Sequence, residues 1–323
     1  MNNFKKIGLT ALAGSLVAVT ANAGEMSVAG TAKIALEHIN GGAASAGKSW
    51  SMGNQLTFSG SGDLDNGMNV SMSFVLDQGD DETDTATNAP NSPFDSHSVS
   101  IGMDGMGTLT FSGEGGDSAV GAMDGSAAGG MWDNFQAAAD EPESGHSSND
   151  MLSYALPSIL DDLALVASYT PNGDGGADSS TSFSATYTGV ENLTLAYGQG
   201  EDNKETLTAD ATAWKVSYSY DAFTVTATDL EYDHETATSS RDMSSFAVSY
   251  LLPGDAISIG YGEEEIKDGS ASSEKAEFKG FDVSYTAGGM TVKAYAQEAE
   301  NISYTTAVTE DREVWAINAT FAF

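Results

Sequence analysis

The sequence predicts an all-β protein: a transmembrane barrel of sixteen antiparallel strands. Three observations lead there. Apolar and polar residues alternate over stretches of about ten residues, sixteen times. The connections between those stretches are short and long in turn. Apart from the first twenty-odd residues, no apolar run is long enough for a membrane-spanning helix.

The first residues read as an export signal. Lys5 and Lys6 precede an apolar run at 7–20, and Ala21, Asn22 and Ala23 form a small-residue cleavage site. The expected division is a signal peptide at 1–23 and a barrel domain at 24–323. Cleavage leaves 323 − 23 = 300 residues, and loss of two lysines takes the net charge from −35 to −37. Such a charge disfavours nucleic acid and favours cations. Cysteine is absent, so disulfides do not hold the exported chain together.

The predicted strands lie at about 25–38, 51–62, 68–77, 97–103, 107–113, 149–156, 162–170, 180–188, 193–200, 210–220, 222–232, 242–252, 255–265, 275–286, 290–299 and 311–323. Most have the length that crosses a bilayer as a tilted strand. In the first, Met26, Val28, Ala32, Ile34 and Leu36 share a face, with Thr31, Lys33 and Glu37 on the other. In the last, Trp315, Ile317, Ala319, Phe321 and Phe323 repeat that rule. A closed barrel has no edge, so this last strand is expected to pair with the first.

Short turns fall at 63–67, 104–106, 157–161, 189–192, 221, 253–254 and 287–289. Long polar connections fall at 39–50, 78–96, 114–148, 171–179, 201–209, 233–241, 266–274 and 300–310. Periplasmic turns and extracellular loops sort this way in outer-membrane barrels. Tyr187, Tyr220, Phe223, Tyr250, Tyr285 and Phe323 stand beside the short turns, where an aromatic belt is expected. A soluble sandwich shares the alternation but not the sorting of connections.

Several stretches resemble the Gram-negative general porins. "NQLTFSGSGDLDNGMNVSMSFVLDQ" (54–78) is similar to their second hairpin, and "HSVSIGMDGMGTLTFSG" (97–113) to the next. "NDMLSYALPSI" (149–159) resembles the strand after their constriction loop, and "VAGTAKIAL" (28–36) their first strand. Phe323 matches their terminal phenylalanine, which implies recognition by the outer-membrane barrel assembly machinery. The resemblance implies a homotrimer of water-filled barrels in the outer-membrane lipid, passing small hydrophilic solutes and ions. It also implies that a third loop, here 114–148, folds into the pore and narrows it.

Selectivity in such a pore is a matter of the sign and position of charge. The segment 114–150 carries eight acids and no Lys or Arg. Glu114, Asp117, Asp124 and Asp133 are the expected constriction acids. Porins of this kind place bases on the facing wall. Here Gln55, Thr57 and Ser59 occupy the second strand, and His97 stands where the resemblance would put a base. Lys33, Lys215 and Lys293 alternate with the apolar face, and form the expected lumen basic wall. The expected preference is for cations. Trp132 and Phe135 are expected to tack the loop to the barrel wall, the alternative being an apolar surface for a sugar-like solute.

Asp80, Asp81 and Asp84 are weak candidates for loosely held Ca²⁺, and Glu263, Glu264 and Glu265 crowd another rim. No full calcium-loop pattern accompanies them, and no cofactor is expected. His38, His97, His146 and His234 lie in no nucleophile motif, so an enzyme is not expected. The alternatives are a substrate-specific channel and a closed structural or adhesive barrel. Small lumen-facing residues such as Ser71, Ser73, Ser184 and Thr186 argue against a plugged lumen.

Overall fold

The computed structural model describes residues 26–41, 47–77, 95–123, 125–135, 149–171, 179–203, 208–236, 239–254, 256–269, 274–304 and 311–323. The expected signal peptide lies outside them. The strands are β1 (Met26–Gly41), β2 (Gly47–Asp63), β3 (Asn69–Asp77), β4 (Ser96–Met103), β5 (Gly107–Glu114), β6 (Met151–Ala155), β7 (Leu163–Thr170) and β8 (Ser180–Val190). They continue as β9 (Leu193–Asp202), β10 (Ala209–Tyr220), β11 (Phe223–His234), β12 (Arg241–Leu251), β13 (Ile257–Asp268), β14 (Ala276–Ala287), β15 (Met290–Glu300) and β16 (Arg312–Ala322). Each pairs antiparallel with its neighbours, and β16 returns to β1 to close the barrel.

Closure follows the expected pairing of last strand with first. Thr31 faces Ala322, and Gly41 faces Arg312. Beyond that ladder Gly30 and Phe323 exchange two backbone hydrogen bonds of 2.7 and 2.9 Å. Gly30 leaves room for the terminal ring, since a methyl group there would lie 2.6 Å from Phe323 Cε2. Among the described residues no helix is long and apolar enough to cross a membrane; the strands make the crossing. Short turns use residues that tolerate positive φ: Asp162 at 65°, Asn192 at 63° and Asp221 at 53°.

Alternation sorts the side chains into two environments. Phe223 and Tyr250 face each other in register with rings 4.5 Å apart, and Phe58 stacks on Phe74 at 4.8 Å. These rings stand on the outer face, as do Tyr187, Tyr220, Tyr285 and Phe323. The inner face carries hydroxyl pairs across neighbouring strands: Ser100 with Thr110, Ser217 with Thr226 and Ser258 with Ser284.

Several boundaries differ from the sequence expectation by a few residues, most of all at the first hairpin. β1 and β2 keep pairing to Ile39 and Gly47, so the hairpin runs further than apolar alternation shows. Backbone pairing does not require a greasy face once a strand has left the lipid. β6 is shorter than expected because the chain enters it from the long loop.

The buried cluster is not at the barrel's centre. It forms where the loop after β5 lies on the inner wall: Val120, Met131 and Phe135 against Ala211, Ala213, Leu230, Met243, Ile266 and Phe278.

Candidate pore constriction

The chain leaves β5 through Gly115, at φ 64°, and turns into the lumen. At Gly116 a methyl group would lie 2.5 Å from Ser112 Cβ, so a side chain would block that turn. Ser118, Ala119 and Val120 are buried immediately afterwards. Two short 3-10 turns, Gly121–Met123 and Met131–Phe135, shape the described part of the loop.

The wall holds the loop with successive polar contacts. Ala119 N donates to Ser168 Oγ of β7 (2.9 Å). Ala127 N donates to Ser245 Oγ of β12 (2.7 Å) and Thr228 Oγ1 of β11 (3.0 Å). Glu264 of β13 accepts on Oε2 from Ser126 Oγ (2.8 Å) and Met131 N (3.1 Å). Asn134 Nδ2 donates to Gln297 Oε1 of β15 (3.0 Å), and Tyr295 Oη donates to Asn134 Oδ1 (3.1 Å). An Arg312 guanidinium nitrogen of β16 donates to Phe135 O (2.6 Å).

Apolar contacts complete the seat. Phe135 is fully buried, with its ring 5.7 Å from that of Phe278. Burying Val120, Met131 and Phe135 contributes about 1.5–3 kcal/mol each. Two wall glycines permit the approach. A methyl at Gly198 would lie 3.1 Å from Val120 Cα, and one at Gly262 would lie 2.9 Å from Ala128 Cβ. Phe135 and Trp132 therefore pack in or against the cluster joining loop to wall.

The described part of the loop thus lies against β7 to β16 and reaches Ile39 of β1, and among the described residues it leaves the inner wall of β2 to β4 uncovered. Register places Ser27, Ser59, Ser61, Ser71, Ser73, Ser98 and Ser100 on that side of the lumen, lining a recess of about 260 Å³. Among the described residues, no Lys, Arg or His stands on the lumen face of β2 to β6. His97 is a correction. It faces Phe74 in register and so stands on the outer face with Val99 and Ile101, not in the lumen.

The sequence-selected acids end up apart. Asp117 is exposed at the start of the loop, beside the segment that bonds Ser168. Asp133 is exposed at the far end, where the loop meets β15. Glu114 lies at the loop's base, 3.9 Å from His97 Nδ1 across a bulge in the β4–β5 pairing. Asp124, and the weak calcium candidates Asp80, Asp81 and Asp84, lie outside the described residues. Among the described residues no group of three or more His, Cys, Asp or Glu is arranged to hold a metal ion.

Lys33, Lys215 and Lys293 all stand on the lumen face by register. Lys215 faces Thr228, which bonds the loop. Lys293 lies two residues from Tyr295 and 3.8 Å from Asp282 Oδ2. Lys33 faces Thr320, eight residues along β16 from Arg312, so it lies roughly 26 Å along the strand towards the short-turn end. Two of the three bases share the loop's height, and one of those is paired.

Sequence reasoning missed Glu37, Glu264, Arg241 and Arg312. Glu37 and Asp133 both lie within electrostatic reach of the Tyr295 phenol, so they bracket the same part of the lumen. Glu264 is 1% exposed, and is the inward member of three consecutive acids; Glu263 and Glu265 face outward. Arg241 lies 3.6 Å from Asp268. Parity was the available signal: Gly260, Gly262 and Glu264 share one face.

A sixteen-strand barrel with an aromatic outer face, a hydroxyl-lined inner face and a loop seated inside has the build of a membrane channel. A profile of the Gram-negative porin family matches residues 8–323. The chain belongs to that family of outer-membrane channels. Solved structures agree in fold. An anion-selective porin from Comamonas acidovorans is 12% identical, with a TM-score of 0.67, covering 93% of this chain and 99% of its own. A loop-deletion variant of OmpT, an outer membrane protein of Vibrio cholerae, is 14% identical with a TM-score of 0.69, covering 94% and 100%. A triple mutant of Rhodopseudomonas blastica porin is 15% identical with a TM-score of 0.65, covering 93% and 100%. No curated protein sequence matches the chain.

Proposed function

We propose that this porin is a cation-preferring diffusion channel for small hydrophilic solutes. The observation that carries the reading is the one-sided charge of the narrowed lumen. The loop brings exposed Asp117 and Asp133, Glu37 joins Asp133 near Tyr295, and the opposite wall offers hydroxyls without a base. Lys293 is offset by Asp282 at 3.8 Å, while Lys215 and Arg312 keep their charge on the wall that seats the loop, away from the hydroxyl wall. Cations therefore meet the lower barrier. The anion-selective relative has the same fold, so the fold leaves the sign of selectivity to the side chains.

The reading includes a homotrimer, with exposed Trp50 and Met52 on the outer face of β2 as part of the surface available to another subunit. It includes Phe323 as the residue met by the barrel assembly machinery. The test is the reversal potential in a planar bilayer under a KCl gradient. A cation-side potential is expected, reduced when Asp117, Asp124 and Asp133 are replaced together by Asn. An anion-side potential would mean that Lys33, Lys215 and Lys293 govern the pore. Saturable flux of one solute class would favour a substrate-specific channel.

A further inference from the structure

Three neighbouring strands, β15, β16 and β1, build a polar patch on the lumen wall where the seated loop ends. On β1 the lumen face runs Lys33, Ala35, Glu37. Across the seam with β16, Ala35 faces Asn318 and Glu37 faces Ala316. On β15, Lys293 faces Asn318 and Tyr295 faces Ala316. Short side chains thus occupy the middle of the patch, with a base at one end and an acid at the other.

Both ends have charge to offer. Among the described residues Lys33 and Glu37 form no ion pair and no side-chain hydrogen bond. Lys293 Nζ lies 3.8 Å from Asp282 Oδ2, so it adds to the basic end in part only. At the acidic end Tyr295 Oη is committed to Asn134 Oδ1 (3.1 Å), beside the exposed Asp133. Asn318 stands halfway between the two ends. Its Oδ1 is buried and accepts no hydrogen bond from the described residues. A buried acceptor left without a donor is costly, and an N–H from a solute would relieve that cost.

The spacing selects the solute. Lys33 and Glu37 lie four positions apart on one strand, roughly 14 Å between their Cα atoms. An extended dipeptide spans about 7 Å. The lysine and glutamate side chains cover the remainder from either end. The order of groups also matches: ammonium, peptide unit and carboxylate against acid, amide and base. A carboxamide offers a peptide unit both an acceptor and donors. A free amino acid is too short to meet both ends and has no peptide unit for Asn318. A solute with one charge meets its counter-charge at one end and a like charge at the other.

We propose that this patch is a weak subsite for short zwitterionic peptides passing through the channel. The terminal ammonium meets Glu37, the peptide N–H meets Asn318 Oδ1, and the terminal carboxylate meets Lys33, with Lys293 beside it. Both ends stand in a watery lumen, so each ion pair is weak, as passage requires. The subsite rests on the reading of the lumen as an open diffusion path. It does not rest on cation preference, because a dipeptide of this kind carries no net charge.

The test is entry into proteoliposomes of the full barrel. L-alanyl-L-alanine is compared with N-acetyl-L-alanine N-methylamide, a neutral solute of similar size that lacks both charges. The dipeptide is expected to enter about threefold faster, the gain from two screened ion pairs. Taking the ratio within each variant cancels changes in pore width. Glu37→Gln and Lys33→Met are each expected to cut that ratio about in half, and together to bring it to about one. Entry of the neutral solute shows that the variants fold and stay open. Equal entry of the two solutes through the wild-type barrel overturns the subsite and leaves the diffusion channel standing. So does an undiminished ratio in the double variant. Entry of neither solute overturns both readings.

Discussion

Replacing Glu264 with alanine removes the acceptor that holds the middle of the inner loop. Its carboxylate takes hydrogen bonds from Ser126 Oγ and Met131 N, at 2.8 and 3.1 Å. Hydrogen bonds to a charged group contribute about 1.5–3 kcal/mol each, so roughly 3–6 kcal/mol of gross attachment is lost. Relief of the buried charge offsets several kcal/mol of that. A net loss of roughly 2 kcal/mol raises the undocked population of the loop's middle about thirtyfold. The bonds to Ser168, Gln297 and Arg312 remain, so the loop stays tethered at its ends. Single-channel recording is the assay. Glu264→Ala is expected to show more open-channel noise and a larger mean conductance. Glu264→Gln keeps one carbonyl acceptor, and is expected to fall between that variant and wild type. Wild-type conductance and noise in a correctly folded Glu264→Ala barrel would refute the view that this carboxylate fixes the loop.

Two other outcomes are accessible. Placing arginine at both Ser59 and Ser73, on the hydroxyl wall facing the loop, should move the reversal potential towards the anion side; no movement would show that this wall does not border the narrow point. Deleting Phe323 removes two backbone hydrogen bonds to Gly30 and one ring of the belt. The yield of heat-resistant barrel in the outer membrane should fall, and an unchanged yield would remove Phe323 from assembly.

The barrel wall was legible because a strand has a period of two. One apolar alternation names the strand, its lipid face and its lumen face together. Lys33, Lys215 and Lys293 reach the lumen face for that reason. The loop's path was not legible, because its bonds join residues far apart in sequence. Ser126 and Glu264 are 138 positions apart, and nothing local to either names the other. Glu264 was half-legible: parity separates it from Glu263 and Glu265, but a run of three acids reads as a solvated rim. His97 went astray because its place in a resembling hairpin outweighed its own alternation with Val99 and Ile101.

The seated loop also has a mechanical consequence. A wide cylinder resists flattening poorly under the lateral pressure of a bilayer unless something crosses its interior. Ser168, Ser245, Glu264, Gln297 and Arg312 tie five strands to one crossing segment, which acts as an internal brace for that half of the wall. The half formed by β1 to β6 has no comparable strut among the described residues, and it includes the shortest strand, Met151–Ala155. A ring under lateral load would yield first on that less braced side, where the serine-lined recess lies.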